Sequence, residues 1–170
     1  MKEILERRSI RKYTSEPVSD KDLEVLLKCA MAAPSANNQQ PWEFIIIKDK
    51  NLLNKVVKVD FESYYMLKEA PVAVVICGNL EKEIFKEKGF WVQDCSAATE
   101  NILIAAQYNN LGAVWLGVYP IEDRVAGLRK LLNLPEKIIP LSIVSLGHSA
   151  EKKPPSNRFD KSRIHINIWQ

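Results

Sequence analysis

The chain has 170 residues, of which 46% are hydrophobic and 26% charged, and its formal net charge is +3. Such a composition can bury a sizeable core and excludes intrinsic disorder. No apolar run approaches the ~20 residues of a membrane span; the charged opening MKEILERRSIRKYT lacks the apolar stretch of a secretory signal, and three scattered cysteines (Cys29, Cys77, Cys95) suit a reducing, cytoplasmic setting.

In chain order, a short helix is expected over Lys2–Arg8. A second follows Ser19, which stands before Asp22 as an N-cap would, with Leu23, Leu26, Leu27, Ala30 and Met31 spaced along one face until Pro34 stops it. After a polar loop over Ser35–Gln40, Trp42–Lys48 reads as a buried strand, because Ile45–Ile47 are consecutive and β-branched. Residues 50–59 and 62–69 read as short helices, Pro71–Gly78 as a second buried strand, and charge-rich Glu81–Lys88 as a surface helix or loop. Trp91–Leu111 is the longest helical segment, apolar on more than one face and therefore central, with Gly112 expected at its C′ position. Ala113–Pro120 and Pro140–His148 read as strands on either side of an amphipathic helix over Ile121–Asn133. Beyond a Pro154-Pro155 tether, the alternating RIHINIW of Arg163–Trp169 predicts one more strand, pairing with its own sheet or with a partner's. The elements describe one layered α/β domain with a C-terminal arm.

Charge is unevenly placed. Residues 1–15 hold five cations against two anions, and residues 151–165 again five against two, so each end carries a local +3 and the stretch between them −3. Either the ends converge on one anion, or they are two solvated, fraying termini. The basic residues form no long stripe, which speaks against a nucleic-acid surface.

Common catalytic signatures are absent. His148 and His165 lack the spacing of a metal pair, and there is no P-loop, G-x-S-x-G or G-x-G-x-x-G. Asp94 and Glu100 stand six apart on one helix, too far round to act as a carboxylate pair, and Cys29 and Cys95 read as buried structural thiols. Any chemistry would then belong to a cofactor. Two segments could hold one. RRSIRKYT supplies Arg7, Ser9 and Arg11 at alternate positions, which as an extended stretch presents three polar arms to a phosphorylated ligand; the same residues would also serve as a basic helix end. APSANNQQPW crowds uncharged amides and a serine between prolines, a rigid loop offering donors and acceptors to a planar heterocycle, or else an ordinary polar turn.

RRSIRKYT, APSANNQQPW, WLGVYP and GHSAEKKPPSNRF, in that order and spacing, resemble the FMN-dependent nitroreductase family in its compact form, over essentially the whole chain. The resemblance implies an α+β fold: a nitroreductase-like α/β/α sandwich with a mostly antiparallel central sheet, filling residues 1–170 as one FMN-binding domain. From about residue 150 a C-terminal arm would reach the dimer partner, with the long helix in a homodimer interface and FMN bound there. It also implies site residues. Arg7 would contact the FMN phosphate, with Arg8 beside it, Ser9 the ribityl or phosphate oxygens, and Arg11 the N1/O2 edge of the ring, where it would stabilise developing charge. Arg158 would complete the phosphate site, ahead of Lys153 and Lys161. From the neighbouring subunit, Pro34, Ser35, Ala36 and Asn38 (or Asn37, one register away) would frame the ring, with Gln40 assisting. Leu116 and Gly117 would lie along the flavin, the Gly117 backbone N–H aimed at N5.

The reaction so implied passes a hydride from NAD(P)H through flavin N5 to an electron acceptor such as a nitroaromatic or quinone, in ping-pong order. Phe61, Tyr64, Tyr65 and Trp91 are the candidates for the acceptor wall, although aromatics at this spacing also build cores. An FMN-binding carrier or regulator with little turnover is the alternative, and an interaction module without flavin a third.

Overall fold

The computed structural model describes residues 1–84 and 88–169. The middle of the segment expected at Glu81–Lys88 lies outside the described residues; its start, Leu80–Lys82, is a single 3₁₀ turn. Helices α1 (Lys2–Glu6), α2 (Asp20–Met31), α3 (Lys50–Val57), α4 (Phe61–Tyr64), α5 (Phe90–Tyr108) and α6 (Glu122–Leu132) surround strands β1 (Trp42–Ile47), β2 (Val72–Asn79), β3 (Gly112–Gly117) and β4 (Ile138–Gly147). The strands form one sheet in the order β1-β2-β4-β3, and every neighbouring pair is antiparallel. The α/β/α sandwich is therefore present, with its sheet wholly antiparallel among the described strands.

Alternation along β2 divides the interior in two. Val72, Val74 and Ile76 turn to one face and meet Leu23 and Leu26 of α2 and Cys95, Ala98 and Ile102 of α5. Ala73, Val75 and Cys77 turn to the other and meet Leu53 and Val56 of α3, Tyr64 of α4 and Leu128 of α6. Apolar burial on both faces explains why these strands read as continuous hydrophobic runs. Local signals act as expected at α2, where the Ser19 hydroxyl accepts from the Asp22 N–H at 3.0 Å.

Between β2 and β4 the register shifts: Ile76 faces Ser142 but Cys77 faces Pro140, so Leu141 is an extra residue. A bulge is where a proline can enter a central strand, since it has no N–H for the ladder. The spare Leu141 carbonyl accepts from Val118 N–H at 3.1 Å and Tyr119 N–H at 3.0 Å, which fastens the chain as it leaves β3.

Three expectations are corrected. β1 is an edge strand and only half-buried, with Ile46 40% exposed. Helix α5 is closed by Asn110 in the left-handed region (φ 58°), while Gly112 already belongs to β3 and is demanded by packing: a Cβ there would meet Ile10 Cγ2 at 2.6 Å. The strand expected at Arg163–Trp169 does not form. Lys161–Arg163 makes a 3₁₀ turn, the rest is irregular and pairs with no strand of its own sheet, and Ile166 and Trp169 are 74% and 86% exposed. A Gly112→Ala substitution is expected to cost about 1–3 kcal/mol through overpacking against Ile10, measured as a lowered denaturant midpoint with an unchanged m-value.

Candidate active site

The two basic ends meet along β3. Ser9 forms a parallel bridge with Ala113, where Ile10 N–H donates to the Ala113 carbonyl at 3.0 Å, and Tyr13 forms an antiparallel bridge with Ser149. Tyr13 is buried and donates to the Ile10 carbonyl at 2.7 Å; burial drives its phenol well above the ordinary value. From the other end, Ala150 N–H donates to the Lys12 carbonyl at 2.9 Å, and Lys153 Nζ donates to the Ser9 carbonyl at 2.7 Å. Glu151 ties the two, accepting from the Arg11 N–H at 2.6 Å with Lys153 Nζ at 3.0 Å. These partners, the Arg11 amide first, hold its carboxyl below the usual range. The contacts extend only as far as Pro154, whose carbonyl accepts from Arg8. Arg8 is thereby committed to holding the C-terminal segment, and Arg158, further along that segment, is exposed. Arg7 Nε is buried without a hydrogen bond, 3.4 Å from Glu100 Oε1. A guanidinium so placed can still donate to an anionic oxygen.

The loop Pro34–Pro41 holds strained backbone. Asn37, Asn38 and Gln40 lie in the left-handed region, at φ 49°, 55° and 50°, and such residues persist where their surroundings over-determine them. Here the Ser35 hydroxyl accepts from the Gln40 N–H at 3.0 Å, the Gln40 amide donates to Asn38 Oδ1 at 2.9 Å, and Gln39 Oε1 accepts from the Ile84 N–H at 2.6 Å. The anchor is Asp94. It is only 7% exposed and accepts from the Ala36 N–H at 2.9 Å. Its role was missed in the sequence because it was weighed only as one of a carboxylate pair; the available signal was a charge on an otherwise apolar helix face, which needs a partner when buried. Ser35 and Ala36 are half-buried, while Pro34, Asn38 and Gln40 are exposed.

At the far end of β3 the arrangement is also specific. Ala113 uses its outward face to meet Ile10, so alternation turns the N–H and C=O of Gly117 outward as well, away from β4. The Gly117 carbonyl accepts from Tyr64 Oη at 3.0 Å and from Arg124 Nη1 at 2.8 Å. A Cβ at Gly117 would meet nothing nearer than Arg124 Nη1 at 4.0 Å, so the chain's own packing does not require glycine there. A ligand approaching the backbone closely would require it. Leu116 turns its side chain into the second core, so only its backbone can line a ligand.

Two expected wall residues are core residues. Tyr64 is fully buried, and Trp91 packs on Gly78 and lies edge-on to Tyr119, ring centroids 5.0 Å apart; only its margin borders a cavity of about 640 Å³ shared with Tyr119, Leu80 and Arg129. Phe61 and Tyr65 remain exposed, Phe61 beneath the Lys68 ammonium at 4.5 Å.

The fold is an α/β/α sandwich in which the two chain ends meet beside an edge strand that ends in glycine. The nitroreductase family model matches residues 4–64 and 58–148. A protein of Archaeoglobus fulgidus named "Putative NADH dehydrogenase/NAD(P)H nitroreductase" is 46% identical, covering 99% of this chain and 98% of its own. Among solved structures, the "Putative NADH Oxidase" of Clostridium acetobutylicum superposes with a TM-score of 0.93 at 43% identity over 98% of this chain and 99% of its own. The FMN-dependent nitroreductase of Clostridium difficile gives 0.91 at 32% over 99% and 100%. The chain belongs to the nitroreductase family.

Replacing Asp94 by Ala is expected to free the Ala36 amide and loosen Pro34–Pro41, lowering stability by about 1–3 kcal/mol. Hydrogen exchange should rise in that loop ahead of the sheet; equal protection in both proteins would remove Asp94 as the anchor.

Proposed function

We propose that this chain is an FMN-dependent oxidoreductase that passes a hydride from NAD(P)H to a small electron acceptor, working as a homodimer in which each site draws on both subunits. The observation that carries this reading is the outer edge of β3: a basic extended stretch at one end, and at the other a glycine with its amide turned outward, its face open and no packing reason to be glycine. The names of the relatives support it, one being an NAD(P)H nitroreductase and another FMN-dependent.

FMN, when bound, supplies hydride acceptance and donation; the chain supplies binding and orientation. Arg7, whose Nε is paired with Glu100 without a hydrogen bond, and Ser9 face the phosphate and ribityl chain in this reading, and Lys153 draws the C-terminal segment against them. Arg11 brings a guanidinium to the N1/O2 edge, and the Gly117 N–H faces N5. The strained loop with Ser35, Ala36 and Asn38 presents donors fixed in advance to the ring held by a second copy, which avoids ordering cost at binding.

Dimerisation has its own support. The tail beyond Pro155 exposes Phe159, Ile164, Ile166, Ile168 and Trp169 together, more apolar surface than a solvated arm keeps in water. A cavity of about 450 Å³ between α2 and α5, lined by Val25, Cys29, Ile104 and Tyr108, leaves the long helix partly uncovered. Both features are met if a second copy packs on α5 and the arms cross over.

Purified protein, incubated with FMN, should show flavin absorbance that bleaches anaerobically on adding NADH or NADPH. A colourless protein overturns the reading, and flavin that neither nucleotide bleaches points to a carrier. Arg7→Ala and Arg158→Ala should each weaken FMN binding about tenfold or more with unchanged thermal unfolding; wild-type affinity in either variant removes that residue from the phosphate site.

A further inference from the structure

Resting on the reading that the flavin ring lies against Gly117, we propose that Arg124, Tyr64, Asp60 and Ser63 form a positioning assembly for hydride transfer, which orients the Gly117 backbone and hence the amide facing the ring. Gly117 ends an edge strand and is exposed. An exposed carbonyl needs no protein donor, because water serves. Yet this one receives two side chains from different helices, Tyr64 Oη at 3.0 Å from α4 and Arg124 Nη1 at 2.8 Å from α6.

Both donors are themselves fixed. Tyr64 is fully buried. Arg124 spends the rest of its fork on Asp60 Oδ2, from Nε at 2.7 Å and Nη2 at 2.6 Å, and on Ser63 Oγ at 2.6 Å. Asp60 is held in turn by the Ser63 N–H at 3.1 Å as the cap of α4, and the Arg124 guanidinium lies 5.5 Å from the centroid of the Tyr64 ring. Asp60 offsets the Arg124 charge, so the assembly acts through geometry more than through net field. Burial pushes the Tyr64 phenol up to about 12, which keeps it a donor throughout the neutral range.

The fold does not need this clamp to route the chain, because Val118 and Tyr119 are already fastened to the Leu141 carbonyl. What the clamp adds is a restraint on ψ at Gly117: the gripped carbonyl lies in the peptide that joins Gly117 to Val118, and through the shared Cα it limits how far the preceding peptide, which carries the Gly117 N–H, can turn. Hydride transfer depends steeply on such control, since misplacement by about 1 Å can cost about a hundredfold in rate.

The test uses FMN-loaded protein carrying Tyr64→Phe, Arg124→Lys, both together, or Gly117→Ala. The readouts are the rate of anaerobic flavin reduction by NADH or NADPH, the flavin midpoint potential, FMN affinity and melting temperature. Tyr64→Phe should slow reduction about threefold to tenfold and Arg124→Lys about tenfold to a hundredfold, with a displaced midpoint potential and nearly unchanged FMN affinity. The double variant should fall short of the product of the two, because both donors serve one acceptor. If the variants melt earlier but keep the wild-type rate and potential, the clamp is only structural and the proposal is overturned, provided Gly117→Ala is slowed. If Gly117→Ala keeps wild-type affinity, potential and rate, the ring does not lie against Gly117 and the underlying reading falls instead.

Discussion

An edge strand presents a row of backbone donors and acceptors that nothing in its own sheet can use, and the outer side of β3 is such a row. The chain closes it at one end only. Ser9 and Ile10 pair with Ala113, after which the N-terminal stretch is drawn away: the Arg11 amide goes to Glu151, and Tyr13 goes to Ser149. Arg11, Lys12 and Lys153 would repel one another at such close quarters, and Glu151 stands among them as the anion that lets the two ends approach. Its carboxylate takes the Arg11 amide and Lys153, while Arg7 is paired separately with Glu100. The open remainder of β3, ending at Gly117, is what every other feature of the site is arranged around.

The loop Pro34–Pro41 answers a different demand. Three residues in the left-handed region each cost on the order of 1 kcal/mol, and a carboxylate buried at Asp94 adds a desolvation cost of its own. These expenses are coupled: the Ala36 N–H that satisfies Asp94 also holds the start of the strained segment, and Gln39 ties its end to Ile84. Strain kept in place by such ties gives a loop already in one conformation.

Much of this was legible in the residues. The apolar runs at Trp42–Lys48, Pro71–Gly78, Ala113–Pro120 and Pro140–His148 became the four strands, most plainly at β2 and β4, where burial on both faces leaves its mark in composition. Of the two open readings for the basic ends, the contacts of Lys153 and Glu151 show that the ends meet as far as residue 154, while Arg158, Lys161 and Arg163 stay exposed. What stayed hidden was pairwise and distant. Nothing about Arg124 in an amphipathic helix announces Asp60, 64 positions earlier. Asn110 rather than Gly112 ends α5, because an asparagine also tolerates the left-handed region and the glycine was needed by Ile10. The alternation of RIHINIW is a property of the segment, but a strand is a property of a pair, and this segment pairs with no strand of its own chain.

The two cores then have separable tasks. The layer of α2 and α5 carries the long apolar helix whose outer face stays partly uncovered, and from it Asp94 sets the loop that looks outward. The layer of α3, α4 and α6 is more completely enclosed and sends Tyr64 and Arg124 to a single carbonyl at the sheet margin. A glycine gripped at its carbonyl from one layer, with the N–H of the preceding peptide open, is restrained by parts of the molecule that need not move when the open side fills. That separation lets the uncovered face adapt to a ligand or a second copy, while the backbone group at the end of β3 keeps its aim.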